Sequence, residues 1–166
     1  MPIAFDWDPV KAADNAGKHQ VTFEEAMTVF GDPLAASMVD PDHPGAEQRW
    51  ITIGADSSGK LVLVVHTWAE TGPDRVLMRL ISARRPTRAE ARQYREGLHG
   101  MRDEYDFSQA ERGRFYRPGA DFIPPVHLEP EVLAFLTARA AARGVSLDEF
   151  VNALLKKGIE LIEAAE

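Results

Sequence analysis

Four β-rich runs lie between short turn clusters in the first half of the chain, and their spacing constrains the fold more than any other feature. Residues 34–39, 50–53, 61–65 and 76–82 are separated by Asp40-Pro41-Asp42-His43-Pro44-Gly45, by Asp56-Ser57-Ser58-Gly59 and by Thr71-Gly72-Pro73-Asp74. Runs so closely spaced join through tight turns, which predicts an antiparallel meander. The unbroken apolar stretch at 61–65 predicts a central strand covered on both faces. Helix signals flank the strands. Asp8 is placed to cap a helix with Pro9 at its first position, ending near residues 17–19. Thr22-Phe23-Glu24-Glu25 is a capping box, with Gly31 and Pro33 as stop signals. Thr87-Arg88-Ala89-Glu90 is a second, opening a helix to about residue 98. The order α-α-β-β-β-β-α predicts an α+β domain over residues 1–98, an antiparallel sheet with flanking helices.

The character changes after Gly100. Residues 99–120 are polar, spotted with aromatics and without clear period, and read as a linker or as an arm that orders on a partner. Residues 121–166 hold one strand candidate at 121–128 and two helices. The first starts at Glu129-Pro130, carries Val132, Leu133, Leu136 and Ala140 on one face, and ends at Gly144. The second opens with the capping box Ser146-Leu147-Asp148-Glu149 and spaces Phe150, Val151, Leu154, Leu155, Ile159 and Ile162 along one stripe. One strand and two helices in roughly 45 residues cannot close a core alone. This part is expected to pair with a second copy of itself.

Composition excludes several chemistries. The 166 residues include no cysteine, so thiolate nucleophiles, disulfides and Cys-based metal sites are ruled out. No apolar run approaches the ~18 residues of a membrane span. Residues 1–8 lack a basic stretch followed by an apolar one. A cytoplasmic protein is the expectation. The net charge of -7 argues against nucleic acid until it is mapped. Between Arg75 and Arg95 stand seven arginines (75, 79, 84, 85, 88, 92 and 95) and one acid, Glu90. Arginine's planar fork matches phosphate oxygens.

Each candidate residue carries a bland reading beside the functional one. The arginine block is either a solvated helix face or a phosphate-binding surface. Arg79 lies between Leu77 and Ile81 in a strand, where a charge calls for a partner or a ligand. His66, at the end of the 61–65 run, is either structural or a site imidazole. Arg49-Trp50 is either a rim arginine beside a core tryptophan or a phosphate contact beside a base-stacking ring. Lys18-His19 either complements a helix dipole or moves protons. Cations, imidazoles and one aromatic without a carboxylate cluster make a poor metal site and a reasonable phosphodiester site. No metal and no cofactor are expected.

The motifs Phe5-Asp6-Trp7-Asp8-Pro9, Lys18-His19, Val21-Thr22-Phe23-Glu24-Glu25-Ala26, Val29-Phe30-Gly31-Asp32-Pro33, Arg49-Trp50-Ile51-Thr52-Ile53-Gly54, Val64-Val65-His66-Thr67 and Arg79-Leu80-Ile81-Ser82-Ala83-Arg84-Arg85 resemble those of the BrnT toxins. The resemblance spans about residues 3–97. It implies a RelE-like ribonuclease of a type II toxin–antitoxin system that cleaves RNA without metal, with the 2′-OH as nucleophile. On that basis Lys18 or His19 would move protons, and Arg49 and Arg79 would stabilise phosphate, with Trp50 in support. His66, Arg84, Arg85, Arg88 and Arg92 would contact RNA. Residues 101–108 are similar to the start of antitoxins encoded directly after such toxins. The remainder resembles the ribbon-helix-helix unit of BrnA and CopG-like antitoxins, with Met101 where a separate antitoxin would begin. That implies a dimer whose paired strands enter the major groove. Val126 and Leu128 would then face inward, and Ile123, Pro125 and His127 outward, with Ser146 at a helix end placed to hold a phosphate. Those outward positions lack the usual base-reading side chains.

The leading expectation is an RNA-cleaving domain tethered to its own inhibitor, with Asp103, Glu104, Asp106 and Glu111 of the arm facing the arginines. The alternative is a dimeric DNA-binding regulator with an inactive toxin-like domain. A third reading is a phosphate-binding module without catalysis.

Overall fold

The computed structural model describes residues 2–97 and 105–165. Its chain divides into two compact units, Met1–Pro125 and Val126–Glu166. Met101, Asp103 and Glu104, to which the sequence reading gave antitoxin roles, lie outside the described residues.

The first unit is built on a mixed seven-stranded sheet ordered β6-β2-β3-β4-β5-β1-β7. Its centre is the expected meander: β2 (Ala36–Val39), β3 (Trp50–Ala55), β4 (Leu61–Gly72) and β5 (Arg75–Arg84) pair antiparallel with their chain neighbours. Val62, Leu63 and Val64 are buried, as a strand covered on both faces requires. Helices α1 (Pro9–His19) and α2 (Phe23–Met27) pack on one face. Asp8 caps α1, and the Thr22–Glu25 box caps α2. Asn15 ties α1 down, with Nδ2 donating to the Val21 and Ala83 carbonyls and Oδ1 accepting from the Ala83 N–H. Helix α3 (Arg88–Glu96), capped by the Thr87–Glu90 box, follows β5, and its Tyr94 joins the cluster of Ile51, Ile53 and Leu63 on the other face.

β1 and β6 are additions to the expected meander, and β7 falls inside the strand expected at 121–128. β1 (Pro2–Asp6) runs parallel to β5, burying Ile3 and Phe5. The two-residue β6 (Glu111–Arg112) pairs with β2, and β7 (Asp121–Ile123) runs parallel to β1. The sheet is therefore mixed, not purely antiparallel. Residues 105–123 wrap it as a strap. Phe107 is fully buried against Ile51, Ile53 and Leu63 on one face, β6 closes one edge, Phe115 packs on the opposite face, and β7 closes the other edge. What was expected to be a linker ending at residue 120 is thus part of the first unit as far as Pro125.

β7 also corrects the strand expected at 121–128. Its pairing partner is β1 of the same chain, anchored by Phe122 edge-on to Phe5 at 5.5 Å. Pro124 and Pro125 follow, and residues without N–H groups end the ladder there.

The second unit contains α4 (Pro130–Arg143) and α5 (Leu147–Glu163). Gly144 closes α4 in the left-handed conformation (φ 68°), and the Ser146–Glu149 box opens α5. Its core is small: Leu136, Ala140 and Phe150 are buried, with Leu128, Leu147 and Val151 against them. No helix among the described residues is long and apolar enough to cross a membrane.

Candidate nucleic-acid interface

Antiparallel pairing of β3 with β4 sets Trp50 directly opposite His66. Alternation puts both on the sheet face shared with α1 and α2, together with Trp68 two residues farther along β4. Thr52, also on this face, has its Oγ1 2.8 Å from His66 Nε2 and 2.7 Å from the Ser37 hydroxyl. The imidazole is wholly buried, and that burial pushes its pKa down to about 3. His66, expected to be either structural or a site imidazole contacting RNA, is therefore neutral and enclosed in this structure.

The strap lies over this face. Phe115 meets His66 edge-on at 4.9 Å, Trp50 at 5.3 Å and Trp68 at 5.5 Å. Arg114 places its guanidinium carbon 4.3 Å above the Trp50 ring, a cation–π geometry. Trp50 is only 7% exposed, so no base can stack on it while the strap is seated. Backbone and apolar contacts hold the strap. The Gly113 N–H donates to the Ala35 carbonyl at 2.8 Å, and Arg112 donates to the carbonyls of Leu34 and Tyr94. Gln93 brackets the strap's start, accepting from the Phe107 N–H and donating to the Tyr105 carbonyl. Of the four acids expected to face the arginines, Asp106 and Glu111 lie among the described residues and are engaged elsewhere. Asp106 caps its own turn by accepting from the Ser108 N–H, and Glu111 pairs with Arg114 of the strap itself at 2.7 Å.

A family model described as the ribonuclease toxin BrnT of type II toxin–antitoxin systems matches residues 7–90, half of the chain. The chain belongs to the BrnT family. Among solved structures, the Brucella abortus ribonuclease toxin BrnT is similar at 19% identity, covering 52% of this chain and 99% of that one, with a TM-score of 0.37. No curated protein matches. The BrnT match covers β2 to β5, with the Trp50, His66 and Trp68 face, and stops before the strap.

Within this BrnT-family chain the expected site residues are dispersed. Lys18 and His19 stand exposed at the end of α1. Arg49 is half-buried where β3 begins, beside the exposed loop of Asp42, His43 and Glu47. Arg79 projects to the sheet face opposite Trp50, because Met78 and Leu80 take the inward positions of β5, and it pairs with Asp6 at 3.5 Å. Arg84 and Arg85 hold structural acids. Arg84 makes two hydrogen bonds to the buried Glu90, and Arg85 reaches Asp56 at 3.3 Å and the Leu61 carbonyl. Arg88 and Arg92 are exposed on α3. Only Trp50 and His66 are brought together.

The DNA-contacting set fares similarly. Ile123 belongs to β7 against β1, not to a ribbon between copies, and Pro125 ends the first unit. His127 is exposed in the second unit, and Val126, expected inward, is 85% exposed. Ser146 Oγ lies 2.9 Å from the Glu149 carboxylate, which also takes the Ser146 N–H, so an acid already occupies that helix end. No cluster of His, Asp or Glu among the described residues is arranged to hold a metal.

Sequence reasoning missed Trp68 and Phe115. Trp68 shares the parity of His66, and carrying the strand past residue 65 would have exposed it. Phe115 lies beside Tyr116 in a stretch without period, and nothing local marks which of the two rings goes inward.

Proposed function

We propose that this chain is a toxin–antitoxin fusion in which a metal-independent RNA endonuclease domain is held inactive by its own strap. One observation carries the reading: residues outside the BrnT match place Phe115 and Arg114 on Trp50 and His66. Tethering keeps the site mostly occluded, since a short linker supplies an effective concentration of about millimolar. In the proposed reaction the 2′-OH attacks phosphorus, the 5′-oxygen leaves, and a proton passes from the first oxygen to the second. Lys18 or His19 is assigned to proton transfer and Arg49 to the phosphorane charge. Arg79, on the other face, is assigned to flanking phosphate. An exposed ion pair such as Arg79–Asp6 contributes little, so a phosphate displaces Asp6 readily.

The second unit is assigned to self-association in the cytoplasm. Its helices enclose a groove of about 490 Å³ lined by Val126, Leu128, Val132, Leu136, Leu154 and Leu155. Three buried side chains are too few to stabilise about 40 residues alone. Operator binding, the alternative function, is disfavoured because β1 already uses the strand such a ribbon needs.

The test compares RNA cleavage by the full-length chain with that by the Arg112→Ala/Phe115→Ala variant, whose strap has lost two anchors. The wild type should be inert and the variant should cleave at least tenfold faster. A variant that melts cooperatively yet cuts no RNA refutes the proposal.

A further inference from the structure

Phe115 sits among four rings that all belong to the stretch matched by the BrnT family. Four rings from residues 30–68 surround the Phe115 ring: His66, Trp50 and Trp68 as above, and Phe30 at 6.3 Å, with interplanar angles of 82°, 85°, 66° and 80°. Edge-to-face packing on several sides defines a slot the width of one six-membered ring. Its occupant is 4% exposed. The four rings bring no charge of their own, because His66 is buried, neutral and tied to Thr52, and the arginines at the rim, Arg114 and Arg117, belong to the strap. The match is nevertheless incomplete. Trp50 Nε1–H is buried without an acceptor, and a phenyl ring has none to offer. An orphaned buried donor carries a cost that a polar occupant removes.

We infer that this slot is a nucleobase subsite for a pyrimidine of single-stranded RNA, and that Phe115 stands in for the base. The choice of RNA rests on the ribonuclease reading above; the choice of ring rests on the slot. Aromatic side chains bind bases by their π-faces and edges with little need for charge. A pyrimidine has the size of the phenyl ring it replaces, whereas a purine carries a second ring. Both pyrimidines present a C2 carbonyl, which supplies the acceptor Trp50 lacks. Arg114, over Trp50 at the rim, takes a position suited to the nucleotide's outer face.

The experiment titrates the full-length Phe115→Ala variant with CMP, UMP, AMP and ribose 5-phosphate, following tryptophan fluorescence. CMP and UMP should bind at least tenfold more tightly than AMP. They should also bind the variant at least tenfold more tightly than the wild-type chain, whose slot is filled. Ribose 5-phosphate, which has no base, should leave the fluorescence unchanged. Adding Trp50→Phe, which keeps a ring but removes the donor, should weaken CMP about tenfold. Should Phe115→Ala fail to melt cooperatively, Phe115→Val replaces it, whose short side chain leaves most of the ring's volume vacant. Equal binding of ribose 5-phosphate and CMP, equal binding of AMP and CMP, or no nucleotide binding by a folded variant overturns the inference. RNA cleavage by the variant without CMP binding sinks the base subsite alone; CMP binding without cleavage sinks the ribonuclease reading alone.

Discussion

Arg84 and Glu90 face one another through two parallel hydrogen bonds of 2.9 Å, with the Glu90 side chain fully buried. Burial pushes the carboxyl's pKa up, but Arg84 and Thr87 together hold it below its ordinary value. The carboxylate also caps α3 by accepting from the Thr87 N–H, so one side chain joins β5, the turn and the helix. Arg84→Ala leaves that carboxylate unpaired and should cost about 3–5 kcal/mol. Arg88→Ala, at the exposed first position of α3, should stay within about 0.5 kcal/mol. Urea denaturation of the two variants distinguishes a structural arginine from a surface one; equal, small losses would refute the assignment.

His66 makes a pH-dependent contribution of definite sign. Its pKa is about 3 in the folded chain against an ordinary 6.5. Between those values the unfolded chain holds the proton and the folded chain does not, so stability rises with pH. The slope is about 1.4 kcal/mol per pH unit, ending above the ordinary value. The contribution is complete at neutral pH and is lost on acidification. Urea unfolding from pH 4.5 to 7.5 should show this slope in the wild type and a shallower one in His66→Gln. Identical slopes would contradict a neutral, buried imidazole.

Gly54 and Gly17 should respond to alanine with opposite signs. A Cβ on Gly54 would come within 2.9 Å of Ala35 Cβ and Val29 Cγ1 and 3.0 Å of Asp32 Oδ2. That carboxylate accepts from the Ala55 N–H and the Tyr94 hydroxyl, so it cannot retreat freely. Gly54→Ala should cost about 1–3 kcal/mol by overpacking. Gly17, inside α1, has nothing within 4 Å, and Gly17→Ala should gain about 0.5–1 kcal/mol. Thermal melts of the two single variants measure both.

Self-association should depend on the α5 stripe. Leu155 is 60% exposed in the groove of the second unit. Leu155→Lys puts a charge on a surface that only burial against another copy makes favourable. Sedimentation equilibrium should find the wild-type chain self-associated and Leu155→Lys monomeric, with a weaker helical far-UV circular dichroism because the second unit has too small a core to hold α4 and α5 alone. A monomeric wild type would remove the role given to this unit.

Local signals were legible in the sequence. All three capping boxes form where Thr22, Thr87 and Ser146 announce them, because a box is decided within four residues. The meander was legible because its turns are short. β1 was not: its partner β5 begins about seventy residues later, and no local pattern encodes a parallel pairing at that range. The candidate site was half legible. Of the expected set Trp50 and His66 stand opposite one another, but the ring that covers them is Phe115, some fifty residues downstream. The arginine block misled because charge counted along a chain does not reveal which members meet acids. Asp6, Asp56 and Glu90 neutralise three of its arginines from other parts of the fold.

The strap supplies both outermost strands of the sheet. Bare strand edges are templates for joining other chains, and folded proteins take care to blunt them. Detaching residues 105–123 would strip β2 and β1 together, leaving two open rows of backbone donors and acceptors on a domain that had also lost Phe107 from its core. The segment that covers the aromatic face is thus also a built-in guard against aggregation, and a liberated enzyme would be short-lived unless something else took the vacated edges.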